Sequence, residues 1–437
     1  ETMKTFLRGC GAQLCALFVV LLATSFTTCP CSAQSEKFVA NYDESQVPEY
    51  ELPPILDEVT AQADDFPSAW DARRSQLLQT FTEQMFGSVP TSEFELHFEK
   101  VEQAQCLAGK GIRQQWKVTI STESGKLPVT LLLYTPAQVT GPVPTFLGLN
   151  FHGNHTIAAD PEILLTESWV RDSKPQSATN HQASDEGRGS SSSRWPIELL
   201  IDNGLGLATA YYGEIDPDTD DQFENGIHAL FPDHRPSAEN PDRWGSIAAW
   251  SWGLSRLLDC MEQIDQVDAS KVVVIGHSRL GKTSLWAGAT DPRFAATISN
   301  DSGCGGAALS RRAFGETVWR INTSFPHWFC GNFKQYNRNE AALPIDQHQL
   351  LALLAPRPLY VASASEDQWA DPQGEFLSAK LASEVYERFE LPGLALQDLP
   401  KPNTASIGVV SYHLREGTHD IDSWDWTNYV QFIKQLQ

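Results

Sequence analysis

A serine flanked by glycines in the second half of the chain has the surroundings that nucleophilic catalysis requires. A continuous apolar stretch, residues 272–275, leads directly into the motif GHSRLGK at 276–282, and a helix-like pattern follows. A serine on a sharp turn between a buried strand and a helix has an exposed hydroxyl, and small neighbours relieve the crowding there. The second glycine usual in such a turn is replaced by Leu280, and Gly281 comes one residue later. The pattern predicts that Ser278 is a nucleophile; a phosphate-binding or purely structural glycine turn is the alternative.

A serine hydroxyl needs a base, and the base needs an orienting acid. In sheet folds with such a serine turn, the chain order is serine, acid and then a histidine near the C-terminus. His419 lies in the glycine-containing loop EGTHD at 416–420, before a terminal amphipathic segment. His413 lies in a strand-like stretch and is expected to be structural. We therefore predict that His419 is the base.

Two aspartates qualify as the acid. Asp301 follows the apolar stretch 295–298, and Asp367 follows the apolar stretch 359–362. Active-site groups of open α/β sheets gather at the carboxyl ends of the strands, and both aspartates lie at such ends. Spacing does not separate them, so both remain candidates. An ordinary loop or capping role is the alternative for either one.

Two basic residues beside the serine stand out in so acidic a chain. Arg279 supplies the backbone N–H that follows the nucleophile, a usual donor to an oxyanion, and a guanidinium in addition. Lys282 comes one helical turn after the serine. Together they predict a pocket for a substrate oxyanion and sugar hydroxyls, with a solvated basic pair as the alternative. The aromatic residues that could stack on a sugar ring, although each is more often core packing, are Trp319, Trp328 and Trp369.

The elements that must position these residues alternate between strands and helices. Continuous apolar runs, which indicate strands covered on both faces, occur at 145–151, 207–211, 272–275, 295–298 and 359–362. Helix-length amphipathic segments lie between them, at 245–263 and 377–389. Such alternation predicts an α/β domain with a mostly parallel central sheet and helices on both faces. Together with the serine turn, it indicates an α/β-hydrolase fold.

The N-terminal part of this fold has a different pattern. A helix is predicted from 69 to 86. Strands with period-two alternation, which favours antiparallel pairing, follow at 94–98, 115–120 and 128–134. We expect an antiparallel N-terminal edge, a single catalytic domain over 68–437, and an extended lead-in at 34–67.

The first 33 residues have the order of a secretory signal. Lys4 and Arg8 precede the apolar run 14–22, and small residues lead up to Ala33. We predict cleavage after Ala33 and a secreted or periplasmic protein. An uncleaved anchor is the alternative, and a lipoprotein through one of the two cysteines at 29 and 31 is a weaker one.

Charge and cysteine content restrict the partners. The 32 basic and 55 acidic residues give a formal net charge of -23, which makes nucleic acid a poor partner. We expect no membrane partner after signal cleavage, no metal or cofactor, and a monomer. The mature chain keeps four cysteines, none in a Cys-x-x-Cys pair, so zinc has little support. Three disulfide pairings remain open among Cys106, Cys260, Cys304 and Cys330.

Taken together, the motifs resemble the glucuronoyl esterases of carbohydrate esterase family 15, in their bacterial branch. The stretches that carry the resemblance are GHSRLGK at 276–282, SNDSGCGG at 299–306, FGETVW at 314–319, DQH at 346–348, APRPLYV at 355–361, WADP at 369–372 and GTH at 417–419. The resemblance extends from about residue 145 to 425, which is most of the mature chain.

The resemblance implies hydrolysis of the ester between 4-O-methyl-D-glucuronate on xylan and lignin alcohols. It implies Ser278 as nucleophile, His419 as base and Arg279 at the oxyanion hole. The expected partner is therefore a glucuronoxylan or lignin–carbohydrate ester. The residues that match positions holding the glucuronate hydroxyls are Lys282, Glu316 and Trp369.

This chain departs from the fungal members at two places. They carry a cysteine before the serine that is bridged to a cysteine after the histidine, whereas His277 and Asp420 stand there in this chain. They also use glutamate where Asp301 stands. The bacterial branch offers the Asp367 position as a second place for the acid, so the resemblance leaves three options: Asp301, Asp367, or a contribution from both. The alternatives to a glucuronoyl esterase are an acetyl xylan or other polysaccharide esterase, and a non-catalytic carbohydrate-binding homologue.

Overall fold

The structure is a computed structural model that describes residues 38–435. The signal predicted at residues 1–33 lies outside the described residues. The fold reported below is that of the compact unit beginning at Ala40. Within the described range, each helix is too short or too polar to traverse a lipid bilayer.

A ten-stranded sheet forms the centre of the fold, with strand order β1-β2-β3-β5-β4-β6-β7-β8-β10-β9. The strands are β1 (Glu95–Cys106), β2 (Gly111–Thr122), β3 (Gly125–Pro136), β4 (Val143–Asn150), β5 (Gly206–Tyr211), β6 (Val267–His277), β7 (Ala296–Asn300), β8 (Leu359–Ala364), β9 (Thr404–Ser406) and β10 (Val410–Arg415). The six strands from β5 to β10 in this order are parallel, and β1, β2 and β3 add an antiparallel edge. The predicted fold class is confirmed. The short antiparallel strand β9 at the opposite edge was not predicted.

Helices cover both faces of the sheet. They are α1 (Glu58–Ala61), α2 (Phe66–Phe81), α3 (Ile197–Asp202), α4 (Tyr212–Ile215), α5 (Gly226–Leu230), α6 (Ser246–Met261), α7 (Arg279–Thr290), α8 (Val318–Ser324), α9 (Gln347–Ala352), α10 (Pro372–Arg388) and α11 (Ser423–Gln435). A π-helical turn, Thr82–Phe86, extends α2. Short 3₁₀ turns occupy several of the connections.

Alternate residues of each central strand belong to two separate hydrophobic clusters. In β6, Val272 and Val274 pack with α2, α6, α7 and α10, while Val273 and Ile275 pack with α3 and α11. Successive side chains of a strand point to opposite faces, so a strand covered on both sides must be apolar throughout. This is the physical reason for the continuous apolar runs in the sequence.

The lead-in before α2 is extended and packs on the domain. The Asn41 carbonyl accepts a hydrogen bond from the backbone N–H of Gly315 at 2.8 Å. Glu44 forms an ion pair with Arg312 at 2.6 Å. The N-terminal segment therefore supports the loop that carries Glu316, one of the predicted site residues.

The four cysteines of the described range are free thiols. None of the three pairings that the sequence left open is formed among them. Cys260, Cys304 and Cys330 are buried, and burial raises the pKa of each thiol above its usual value. Thiols held in the protonated form by an apolar setting are poor nucleophiles.

Candidate active site

Four neighbouring parallel strands, β6, β7, β8 and β10, have their carboxyl ends on the same side of the sheet. Ser278 follows β6, Asp301 follows β7, Asp367 lies three residues beyond β8, and His419 lies four residues beyond β10. Because parallel strands place their carboxyl ends at one edge, these distant residues meet there. Their proximity follows from the order of these strands in the sheet, which the sequence does not show.

Ser278, His419 and Asp367 form a hydrogen-bonded chain. His419 Nε2 lies 2.9 Å from Ser278 Oγ, and His419 Nδ1 lies 2.5 Å from Asp367 Oδ2. The His419 side chain is 41% exposed, while that of Asp367 is 4% exposed. An open base with a buried orienting carboxylate is the arrangement that activates a serine hydroxyl.

The turn that presents Ser278 depends on glycine. Ser278 has φ +59° and ψ −129°, a strained conformation for a residue with a side chain. A Cβ on Gly276 would lie 1.8 Å from the carbonyl oxygen of Leu280, so no side chain fits there. A Cβ on Gly281 would lie 2.9 Å from the Cβ of Ser302. The close approach that the usual second glycine allows is therefore made by Gly281, while Leu280 packs in the core.

Arg415 holds the loop that carries His419 through hydrogen bonds to its backbone. Its guanidinium donates to the carbonyl oxygens of Thr418 and Asp420, at 2.7 and 2.9 Å. The Gly417 carbonyl accepts from the backbone N–H of Glu366 at 2.9 Å. The base loop and the acid loop are therefore tied together, which fixes the imidazole relative to Asp367.

Asp301 is placed differently from Asp367. Its side chain is fully buried, and neither carboxylate oxygen has a hydrogen-bond partner within the described range. Its nearest cation is Arg415 Nη2, 3.9 Å from Oδ2. Burial, together with the nearby carboxyls of Glu375 and Asp367, raises the pKa of Asp301 well above its usual value. Asp301 is thus close to the chain of hydrogen bonds without belonging to it.

Asp301, Asp367 and His419 have ligand atoms within 4.8 Å of one another, the spacing that a metal ion requires. His419, however, uses one ring nitrogen for Ser278 and the other for Asp367. A cation bound there would have to displace one of these hydrogen bonds. The geometry therefore favours proton transfer over metal binding.

Arg279 lies beside the serine in an aromatic setting. Its guanidinium carbon is 4.9 Å from the ring centre of Trp328, 5.5 Å from Phe151 and 5.8 Å from Phe325. Nη1 forms a short ion pair with the buried carboxylate of Asp218. The Arg279 side chain keeps 24% of its surface exposed, whereas that of Asp218 is fully buried.

Lys282 and Glu316 are buried next to this guanidinium. Lys282 Nζ donates to the carbonyl oxygen of Ser302 at 2.5 Å, and only 4% of the residue is exposed. Burial raises the pKa of Glu316, and the charges of Lys282 and Arg279 oppose that shift. The backbone N–H of Glu316 donates to the carbonyl of Trp369 at 3.0 Å. All three residues predicted to bind sugar hydroxyls therefore lie on segments that meet beside Ser278.

The two other tryptophans singled out from the sequence have protein partners. Trp328 is buried, stacks on Phe325 at 3.8 Å, and donates from Nε1 to Asp218 Oδ1 at 2.7 Å. Its role is packing, since Phe325 and the Arg279 guanidinium cover its ring. The guanidinium of Arg338 lies 3.9 Å from the ring centre of Trp319.

Sequence reasoning missed Asp218 and His152. Asp218 belongs to an acidic loop, residues 216–221, and the sequence contains no signal that distinguishes it from the other aspartates there. His152 lies two residues beyond β4, in the loop from which many serine hydrolases supply an oxyanion donor, and this position in the sequence could have identified it. Burial and the charges of Arg194 and Arg279 lower the pKa of His152 to about 4. The imidazole is therefore neutral at physiological pH.

The chain is similar in sequence and in structure to known proteins. A family model described as glucuronyl esterase of fungi matches residues 238–390. The curated protein "Carbohydrate esterase MZ0003", from an unknown prokaryotic organism, is 48% identical over 96% of this chain and 97% of its own length. A solved structure of a promiscuous CE15 esterase from a marine bacterial metagenome is 50% identical, with a TM-score of 0.85, covering 91% of this chain and 100% of that chain.

The chain belongs to carbohydrate esterase family 15.

Membership in the glucuronoyl esterase family confirms the resemblance drawn from the motifs and makes the chain a carboxylic ester hydrolase. A further relative, 4-O-methyl-glucuronoyl methylesterase 1 of Wolfiporia cocos, is 29% identical over 59% of this chain and 64% of its own length. The resemblance places a cysteine before the serine in fungal members, and this esterase has His277 at that position. Its Nδ1 lies 2.5 Å from Asn300 Oδ1, and its ring lies 4.6 Å from that of His419.

Proposed function

We propose that this esterase hydrolyses esters of D-glucuronate and its 4-O-methyl form, carried on glucuronoxylan and linked to lignin alcohols. The observation that carries the proposal is the hydrogen-bonded chain Ser278–His419–Asp367 with the Arg279 guanidinium beside it. Family membership supports the glucuronoyl ester as substrate. The reaction needs no metal in this proposal.

The groups of the site then act in the following order. His419 Nε2 takes the proton of Ser278 Oγ as that oxygen attacks the ester carbonyl, and Arg279 stabilises the negative charge of the tetrahedral intermediate. His419 gives the proton to the departing alcohol, which leaves an acyl-enzyme on Ser278. A water molecule, deprotonated by His419, attacks the acyl carbon; the bond to Ser278 Oγ then breaks, His419 returns the proton to that oxygen, and the glucuronate leaves. Asp367 keeps the Nδ1 proton of His419 in place and stabilises the imidazolium.

We assign the orienting acid to Asp367 because it alone of the two aspartates is hydrogen-bonded to His419 among the described residues. Asp301 is a buried neighbour of this hydrogen-bonded chain, and burial raises the pKa of its carboxyl. Lys282, Glu316 and Trp369 are proposed to hold the glucuronate hydroxyls, since they lie on the segments beside Arg279.

The direct test replaces Ser278 with alanine and measures release of benzyl alcohol from a benzyl glucuronate ester. Loss of the nucleophile should lower kcat by at least about 10³-fold. The matched control is Ser270→Ala, since Ser270 is exposed on the same strand and its hydroxyl donates to Asp268 Oδ1 at 2.6 Å. Activity of Ser278→Ala within tenfold of wild type would contradict the proposal.

A broader esterase is the second candidate, because the marine relative with a solved structure is described as promiscuous. Parallel assays on acetylated xylan and on the glucuronate ester separate the two. A higher kcat/KM for the glucuronate ester supports our proposal, and a higher value for acetylated xylan supports a polysaccharide deacetylase. Labelling of Ser278 by a fluorophosphonate distinguishes either enzyme from a non-catalytic carbohydrate-binding homologue.

We also propose that the protein is secreted or periplasmic, works as a monomer and begins at Gln34 after signal cleavage. The polar and apolar order of residues 1–33 supports this, as does a polymeric substrate outside the cell. N-terminal sequencing of the exported protein checks the cleavage site.

A further inference from the structure

Asp218 is a fully buried carboxylate, and both of its oxygens have hydrogen-bond partners. Oδ1 lies 2.9 Å from His327 Nε2 and 2.7 Å from Trp328 Nε1. Oδ2 accepts from the Tyr212 hydroxyl at 2.9 Å and from Arg279 Nη1. The Asp218 side chain is 0% exposed, so all of these contacts are shielded from water.

This carboxylate stays ionised. Burial by itself raises its pKa, but the hydrogen bond from His327 and the charge of Arg279 outweigh burial, and the net pKa of Asp218 is lowered. Charge-assisted hydrogen bonds to a buried carboxylate are short and orientation-specific. Asp218 is therefore a fixed negative charge at the back of the Arg279 guanidinium.

Asp218 and the aromatic rings together fix how the guanidinium is turned. Nη1 is held by Asp218, Trp328 lies against the guanidinium, and Nε is buried without a partner in the described part of the chain. No described residue accepts a hydrogen bond from Nη2. Nη2 is thus the edge of the guanidinium that remains for the substrate.

We propose that Asp218 is a positioning residue for the esterase reaction, which orients Arg279 so that Nη2 points at the developing oxyanion. The inference rests on the function proposed above. An arginine side chain has several rotatable bonds, and a donor that is already aimed does not reorganise during the reaction. Asp218 does not touch the substrate and acts through Arg279.

The primary test is Asp218→Asn, assayed on the benzyl glucuronate ester. The amide removes the charge and presents an N–H group to either Arg279 or the donors of His327 and Trp328. We expect kcat to fall about 10²-fold, the effect of misplacing a stabilising group by about 1 Å, with KM changed less than about threefold. Binding of free glucuronate should stay within about threefold of wild type, since the product carries no tetrahedral oxyanion.

The matched control is Asp216→Asn. Asp216 lies two residues earlier, is also buried, and pairs with His228 Nδ1 at 2.9 Å without contacting Arg279. It should lower the unfolding midpoint and leave kcat within about threefold of wild type. If Asp218→Asn lowers kcat no more than Asp216→Asn does, the role assigned to Asp218 is wrong.

A double-mutant comparison shows whether Asp218 works through Arg279. In an Arg279→Met background, Asp218→Asn should lower kcat/KM by less than about threefold further, because the group that it orients is gone. Losses that multiply fully would show that Asp218 acts independently of Arg279 and would overturn the inference.

If Asp218→Asn does not fold, His327→Phe decides the matter, since it removes one hydrogen bond to Asp218 Oδ1 at a residue for which no contact with Arg279 is found in the described range. We then expect a kcat loss of about threefold to tenfold at constant KM, and unchanged kcat would overturn the inference. Ser278→Ala separates the two proposals. Retained activity there defeats the proposed function, whereas an inactive Ser278→Ala with a normal Asp218→Asn defeats only the role of Asp218.

Discussion

Replacing each of the two candidate acids by asparagine should give sharply unequal effects. Asp367 Oδ2 lies 2.5 Å from His419 Nδ1, whereas the oxygens of Asp301 have no hydrogen-bond partner among the described residues. An asparagine at 367 no longer stabilises the imidazolium and no longer requires a proton on Nδ1. His419 can then carry its proton on Nε2, from which it cannot accept that of Ser278.

The expected loss for Asp367→Asn is about 10⁴-fold in kcat, as in serine hydrolases whose orienting carboxylate is amidated. That factor corresponds to about 5.5 kcal/mol of transition-state stabilisation. Folding should be little affected, because the asparagine oxygen can still accept from the backbone N–H of Ala370, as Asp367 Oδ1 does at 3.3 Å.

The expected loss for Asp301→Asn is less than about threefold, within the usual scatter of a neutral substitution. The amide has nearly the same size as the carboxyl, and neither Asp301 oxygen has a hydrogen-bond partner among the described residues, so the substitution removes no hydrogen bond on which His419 depends. Burial also raises the pKa of Asp301, which opposes its charged form. Initial rates with benzyl glucuronate ester over a range of concentrations give kcat and KM, and circular dichroism checks folding. A large loss for Asp301→Asn beside a small one for Asp367→Asn would refute the reasoning.

Two further predictions concern stability and the serine turn. Burial raises the pKa of Glu375 to about 8, although hydrogen bonds from Ser363 and Gly303 oppose the shift; because the folded pKa lies above the unfolded one, stability is full below about pH 4.5 and is lost as pH rises towards 8. Glu375→Gln should flatten that decline in urea unfolding at pH 5 and 8, and an unchanged slope would contradict the assignment. Gly276→Ala places a Cβ 1.8 Å from the carbonyl oxygen of Leu280, so it should distort the turn and lower kcat by at least about 10²-fold. Wild-type activity of a folded Gly276→Ala protein would show that the turn can relax.

Much of the fold could be predicted from the sequence, because strands that are buried on both faces are continuously apolar. Residues 272–275 are apolar without interruption since alternate members enter two different clusters. The N-terminal hairpins show alternation instead, and they form the antiparallel edge as predicted. Strand β9 was missed because three residues are too few to show a period.

The candidate site was partly readable for a different reason. The serine turn is a local feature, and the motif at 276–282 contains the glycines that its geometry requires. The histidine loop is local too, between a strand and the last helix. Lys282 was predicted from its place one helical turn after the serine, and its hydrogen bond to the Ser302 carbonyl is a feature that only tertiary packing supplies.

The amino-acid sequence by itself determined the fold class, the nucleophile and base candidates, and the family, because each is written in short contiguous stretches. Only the tertiary structure distinguished Asp367 from Asp301. Both follow neighbouring parallel strands, so both carboxyls reach the same edge, and a hydrogen bond to His419 depends on how each loop turns after its strand. The pairing of Asp218 with Arg279, 61 residues apart, was likewise decided by packing, since nothing in an acidic loop marks which aspartate will be buried against a cation.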